Sequence, residues 1–220
     1  MTSFARRSVL LLALLAAGSA CASPATQRCV TDPAVAFGEA LLCYHDAVEA
    51  QPLSYRRTAT SSVAGVERRD YLLTSQDWSP EDLVQPASWQ HDVALYVPPD
   101  ALPTRALLIS SNGTRQPVDG GPAQPSSELT PEAIAALAQR TRTVVIVLSD
   151  LPSQALTYRD DGTARREDDS VAHTWSLFMK APAQRKTLPL HVPMAAAIAR
   201  TMSLTAVSYT HLTLPTILLV

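Results

Sequence analysis

The residues that could do chemistry fall into a few short groups. Ser111-Asn112-Gly113 closes an apolar run, and a tight turn there can aim a backbone N–H at a negative oxygen, as an oxyanion loop does. The same residues also read as a simple Asn-Gly turn with positive φ. Glu167, Asp168 and Asp169 could supply acid, base or metal ligands. As one acidic helix start with no second cluster, they fit a structural role stabilised by the helix macrodipole better. His173, close to Trp175 on a helical pattern, reads as packed or hydrogen-bonded, and His45 as a solvated loop residue. A Gly-x-Ser-x-Gly nucleophile turn is absent from the sequence: Gly113, Gly120, Gly121 and Gly162 all lack a serine two positions on. Without metal spacing, phosphate loop or nucleotide motif, neither metal nor cofactor is expected.

The N-terminus bears on where any chemistry would happen. Residues 1–22 carry Arg6 and Arg7, a short apolar run and then Gly-Ser-Ala-Cys-Ala, the pattern of a secretory signal peptide. Ala20-Cys21-Ala22 fits cleavage before Ser23. Alternatively Cys21 is the lipidated first residue of a lipoprotein, although Gly18 stands where a lipobox has Leu. The Arg pair could also serve twin-arginine export. Export to an oxidising periplasmic or extracellular compartment makes a Cys29–Cys43 disulfide the expected state of the two remaining cysteines.

Composition narrows the class. The 220 residues are 46% hydrophobic and 17% charged with net charge −2, which suits one globular domain with a sizeable core. Without the leader, 16 basic residues face 20 acidic ones, leaving about −4 and no electrostatic footprint for nucleic acid. Membrane association is expected only through a lipid on Cys21. The remaining expected partner is a small-molecule or peptide substrate of unknown identity.

The elements that must position these groups centre on residues 144–148, VVIVL, a β-branched run that reads as a strand buried on both faces. Strands are also expected over residues 66–78, 90–98 and 105–110, with Val93, Leu95 and Val97 alternating in the second. One short helix is expected within residues 31–49. Thr130 caps a helix with Pro131 at its first position and Ile134, Leu137 and Ala138 on one face. Residues 158–166 read as a surface loop. Val171, Trp175 and Phe178 follow at helical spacing, and Pro193 opens a last helix with Met194, Ile198 and Met202 on one face. Trp78, Trp89 and Trp175 read as core or edge anchors. Antiparallel strands first and a parallel β-helix-β unit afterwards define an α/β fold.

Residues 207–220 read VSYTHLTLPTILLV and break the pattern. Their first ten match the translation of a transposase-end adapter used in preparing sequencing libraries. The authentic protein is therefore expected to end near Ala206, and His211 carries no weight. The expected organisation is leader 1–22, N-terminal extension 23–65, α/β part 66–206 and adapter-derived tail 207–220.

From Tyr71 to Met202 the chain resembles the PhoPQ-activated pathogenicity-related protein family of exported α/β-hydrolase-like proteins. The resemblance rests on residues 71–78 (YLLTSQDW), the Trp89–Pro98 stretch ending in Tyr96-Val97-Pro98, Ser149-Asp150-Leu151-Pro152-Ser153-Gln154, Arg166-Glu167-Asp168 with Ala172-His173-Thr174-Trp175, and Pro193-Met194 followed by Ala199-Arg200-Thr201-Met202. It implies an incomplete α/β-hydrolase-like sheet, truncated before the nucleophile elbow, with the acid and histidine later still. The intact protein is then expected to be a serine ester or amide hydrolase, and this fragment inactive, with no catalytic residue of its own. It is also expected to fold poorly, with residues 144–148 as the last strand facing a missing neighbour. Two alternatives stand: an exported binding or signalling protein on the same scaffold without its chemistry, or a genuine small secreted domain.

Overall fold

The computed structural model describes residues 24–113, 115, 122–123, 129–152 and 155–209. The leader, Cys21, Ser153, Gln154, most of the 114–128 loop and His211 lie outside the described residues.

The described residues open with α1 (Pro24–Thr31), followed by a single 3-10 turn and α2 (Ala40–Glu49); α2 with its 3-10 lead-in is the one short helix expected within residues 31–49, and α1 precedes it. Ala36 interrupts the helical path ahead of the 3-10 turn, being extended at φ −63°, ψ 155°. The Cys29–Cys43 disulfide staples α1 to α2.

β1 (Ser54–Val63) and β2 (Val66–Asp77) form an antiparallel hairpin. Its two-residue turn, Ala64-Gly65, has φ of 48° and 81°, the positive values that match strand twist. The apolar run within β2 gave residues 66–78 their strand signature. β1 carries none, because nine of its ten residues are exposed and, Tyr55 apart, these are polar or small. A short β3 (Val84–Gln85) precedes β4 (Ser88–Val97), which pairs antiparallel with β2.

β5 (Ala106–Ser110), α3 (Pro131–Thr141) and β6 (Val144–Leu148) make the parallel crossover. Thr130 Oγ1 accepts the Ala133 amide at 3.2 Å, and Pro131 sits in the first turn, as the sequence pattern predicts. The sheet order is β1-β2-β4-β6-β5. β6 is therefore interior, antiparallel to β4 and parallel to β5, and the expectation that residues 144–148 face a missing neighbour is wrong. The crossover overshoots β5 and inserts β6 beside β4, which leaves β5 at the edge. Hydrophobicity along β6 reports its two covered faces and says nothing of which neighbour flanks it. Val144, Ile146 and Leu148 join the larger core, while Val145 packs with Tyr96, Ile134 and Ala138 under α3.

After β6, residues expected as surface loop form a hairpin, β7 (Leu156–Tyr158) and β8 (Ala164–Arg165), and β7 also pairs with β3. Tyr158 is fully buried there, so its ring, not the flanking charges, sets the local structure. α4 (Glu167–Lys180) and α5 (His191–Ser208) follow. α5 buries Val192, Ala196, Ala197, Arg200 and Leu204, while Met194 and Ile198 are only partly buried. Its inward face is thus rotated from the expected one, because Arg200 turns inward to bond the Gln51 and Pro52 carbonyls at 3.1 and 2.7 Å. Trp78 and Trp89 meet edge to face at 5.5 Å in the main core. Among the described residues, no helix is long and apolar enough to cross a membrane.

Candidate functional site

The exits of the two parallel strands are fastened to each other. At the end of β5 the Ser111 amide donates to the Leu148 carbonyl at 2.8 Å, and Leu151 N–H returns to the Ser111 carbonyl at 3.3 Å. Asp150 N–H donates to Asn112 O at 3.4 Å, and Ser149 N–H reaches the Asp92 carbonyl on β4 at 2.9 Å. Ser111, Asn112 and Gly113 therefore form one lip of a loop pair whose other lip is residues 149–152. Gly113 has φ 129°, and a side chain there would be strained.

Asp150 is the hub of that pair. It is 4% exposed and holds φ 62°, a left-handed value that non-glycine residues rarely take. Burial, then the Asp92 charge, push its carboxyl up to about 6. One carboxyl oxygen accepts the Asp92 amide at 3.4 Å, while Arg115 pairs with the Asp92 carboxylate. His91 is fully buried on β4, with Nε2 2.9 Å from Ser75 Oγ and Nδ1 3.1 Å from the Asp150 carbonyl. Burial drives its pKa down to about 4, which keeps the ring neutral. Sequence reading missed His91, Ser75 and Asp150 as a group, although each falls within a stretch that carries the family resemblance.

A cavity of about 570 Å³ opens beside this loop pair and is lined by Ser111, Arg115, Asp92, Asp150, Tyr96 and Ile134, among others. It combines apolar walls with a few convergent polar groups, the usual composition of a small-molecule site. A second cavity, about 660 Å³, lies beside α1 and residues 79–82. Its carboxylates Glu81 and Asp82 are already paired, with Arg185 and Arg159.

The other sequence candidates stand apart from the loop pair. Glu167, Asp168 and Asp169 form the first turn of α4 and are exposed. His173 bonds Asp160 at 3.2 Å and packs its ring on Tyr158 at 4.6 Å. Asp160, Asp161 and His173 place three ligand-type atoms within 4.8 Å of one another, but Asp161 is forked to Arg165, which holds its carboxyl well below the usual range. His45, expected in a solvated loop, instead lies half-buried on α2, where its ring nitrogen is 3.2 Å from the neighbouring Asp46 carboxylate. Trp175 is 38% exposed and donates its indole N–H to His191, an edge anchor in contrast to the buried Trp78 and Trp89.

Together these features define a disulfide-stapled α/β protein with a polar loop pair at the C-terminal ends of its parallel strands. The chain belongs to the PhoPQ-activated pathogenicity-related protein family, whose profile matches residues 41–216. It is also similar to the Autocrine proliferation repressor protein A of Dictyostelium discoideum, at 28% identity over 159 residues, 71% of this chain and 31% of that relative. The chain thus spans under a third of that relative's length. No solved structure matches it significantly.

Proposed function

We propose that this chain is the N-terminal part of an exported α/β-hydrolase-like protein. In it, the Ser111-Asn112-Gly113 loop presents backbone N–H groups to the oxyanion of a tetrahedral ester or amide intermediate. One observation carries the reading. The Ser111 amide is spent on Leu148, whereas the Asn112 and Gly113 amides have no acceptor among the described residues. They sit beyond the carboxyl end of a parallel strand, where open α/β sheets bind ligands. The nucleophilic serine, acid and histidine would come from chain beyond these residues, beside the free edge of β5. The disulfide supports export, since such bonds persist in oxidising compartments.

The test uses a protein of the relative's full length, assayed on p-nitrophenyl esters and peptide substrates. Asn112→Pro removes one amide donor from the loop. The expected loss is about 10²- to 10³-fold in kcat with KM little changed, the effect of deleting one oxyanion donor. Unchanged kcat in a folded variant would remove the loop from the chemistry.

A second reading is favoured by the relative's name as a proliferation repressor. On it, the protein is an exported signalling or binding protein on the same scaffold, without catalysis. A full-length protein that alters cell proliferation, yet turns over no ester or amide, would select this reading.

A further inference from the structure

Ser75 has no partner in the β2–β4 ladder. The β2–β4 register slips between Thr74 and Gln76, and such a bulge re-aims the side chain of the extra residue. Here the Ser75 hydroxyl is turned onto His91 Nε2 at 2.9 Å, and both residues are buried. The opposite ring nitrogen, Nδ1, meets the Asp150 carbonyl at 3.1 Å. A carbonyl can only accept, so Nδ1 carries the proton and Nε2 accepts from the Ser75 hydroxyl. One tautomer alone satisfies both partners.

That proton falls on the residue with the least ordinary backbone in the loop pair. Asp150 at φ 62° is strained for a residue with a Cβ and persists only where its surroundings hold it. Its amide and that of Leu151 are the two groups that bond the Asn112 and Ser111 carbonyls. Rotation of Asp150 out of the left-handed region would swing both amides away from that loop.

We propose that Ser75 and His91 form a buried latch, fixed in one tautomer, which holds Asp150 left-handed and thereby sets the position of the Ser111-Asn112-Gly113 loop. These are positioning residues: His91 is fully buried, and each ring nitrogen already has a protein partner. The catalytic meaning of the latch rests on the oxyanion reading above; the latch geometry does not.

The test needs no enzyme activity. In the 220-residue chain, imidazole nitrogen spectra should show His91 as the neutral Nδ1–H form from pH 5 to 8. An Nε2–H form would overturn the proposal. Amide hydrogen exchange then separates a latch from simple space filling. His91→Asn keeps a donor near the Nδ1 position, whereas His91→Gln keeps a polar group only near Nε2. Protection of the Asp150 and Leu151 amides should fall about tenfold in His91→Gln, the worth of one hydrogen bond, and little in His91→Asn. Equal losses in both would overturn the proposal. Adding Asp150→Gly to His91→Gln should restore protection at Leu151, since glycine takes positive φ without strain. Should the His91 variants fail to fold, Ser75→Ala leaves the ring in place and should release His91 into a mixture of tautomers. A spectrum unchanged in Ser75→Ala would remove Ser75 from the latch. Failure of the latch leaves the oxyanion reading to the kcat of Asn112→Pro, so the two fail separately.

Discussion

The His91 imidazole and the Asp150 main chain meet at 3.1 Å across 59 positions of sequence, and burial moves the pKa values of the two side chains in opposite directions. Asp150 is raised from 3.8 to about 6, so its contribution to stability is complete below pH 3.8 and is lost as pH rises through 6. His91 is lowered from 6.5 to about 4, so its contribution is complete above pH 6.5 and is lost as pH falls towards 4. Each displacement corresponds to about 3 kcal/mol, and across pH 4–6.5 the two oppose each other. Urea unfolding should therefore give a nearly flat contribution from this pair in the native chain. Asp150→Asn should expose the His91 term, with stability falling as the medium is acidified. His91→Asn should expose the Asp150 term, with stability rising under the same change. Parallel profiles in all three proteins would refute the assignment.

The disulfide closes a short loop, with Cys29 and Cys43 separated by 14 positions. Chain-entropy arguments put a loop of this size at about 3 kcal/mol. Replacing both cysteines by serine, or adding a strong reductant, should lower stability by about 2–3 kcal/mol in a thermal melt. α1 should become the earliest site of proteolysis. A melt insensitive to reductant would show that the bond contributes nothing to the fold.

Arg200 is 3% exposed and ties α5 to the link between α2 and β1 through the Gln51 and Pro52 carbonyls. Burial lowers its pKa, while Glu49 at 3.9 Å partly compensates. Arg200→Met keeps much of the volume but strands two carbonyls, and Glu49 keeps only its bond from the Ser203 hydroxyl at 2.9 Å. The expected loss is about 3 kcal/mol by denaturant unfolding. Arg200→Lys should recover only part of it, since one ammonium cannot reproduce the guanidinium fork. Equal stability of the Met variant and the native chain would contradict the clamp.

Among the described residues β5 pairs with β6 on one side and ends the sheet on the other, with Leu107 40% exposed. An open, apolar edge strand invites pairing with a second chain. Light scattering of the 220-residue chain should show association that grows with concentration. Leu107→Lys should suppress it while changing unfolding free energy by no more than about 0.5 kcal/mol. Persistent association in that variant would place the contact elsewhere.

Much of this architecture is legible along the chain. The Val144–Leu148 run reports two covered faces, the Val93-Leu95-Val97 alternation reports a half-covered strand, and Thr130-Pro131 marks the start of α3, because each pattern is set by contacts repeated within a few residues. The PhoPQ-related family was legible for the same reason, in short motifs lying in order from Tyr71 to Met202. β1 was invisible because its residues are exposed, and a strand held mainly by backbone bonds to a neighbour needs no apolar pattern. The position of β6 between β4 and β5 was equally hidden, since strand order is settled by how a crossover packs and leaves no trace in local hydrophobicity. The same holds for the corner that unites Ser75, His91 and Asp150. It arises from a one-residue slip in strand pairing and a left-handed turn, both of which depend on partners far away in sequence and on burial that removes water as a competitor.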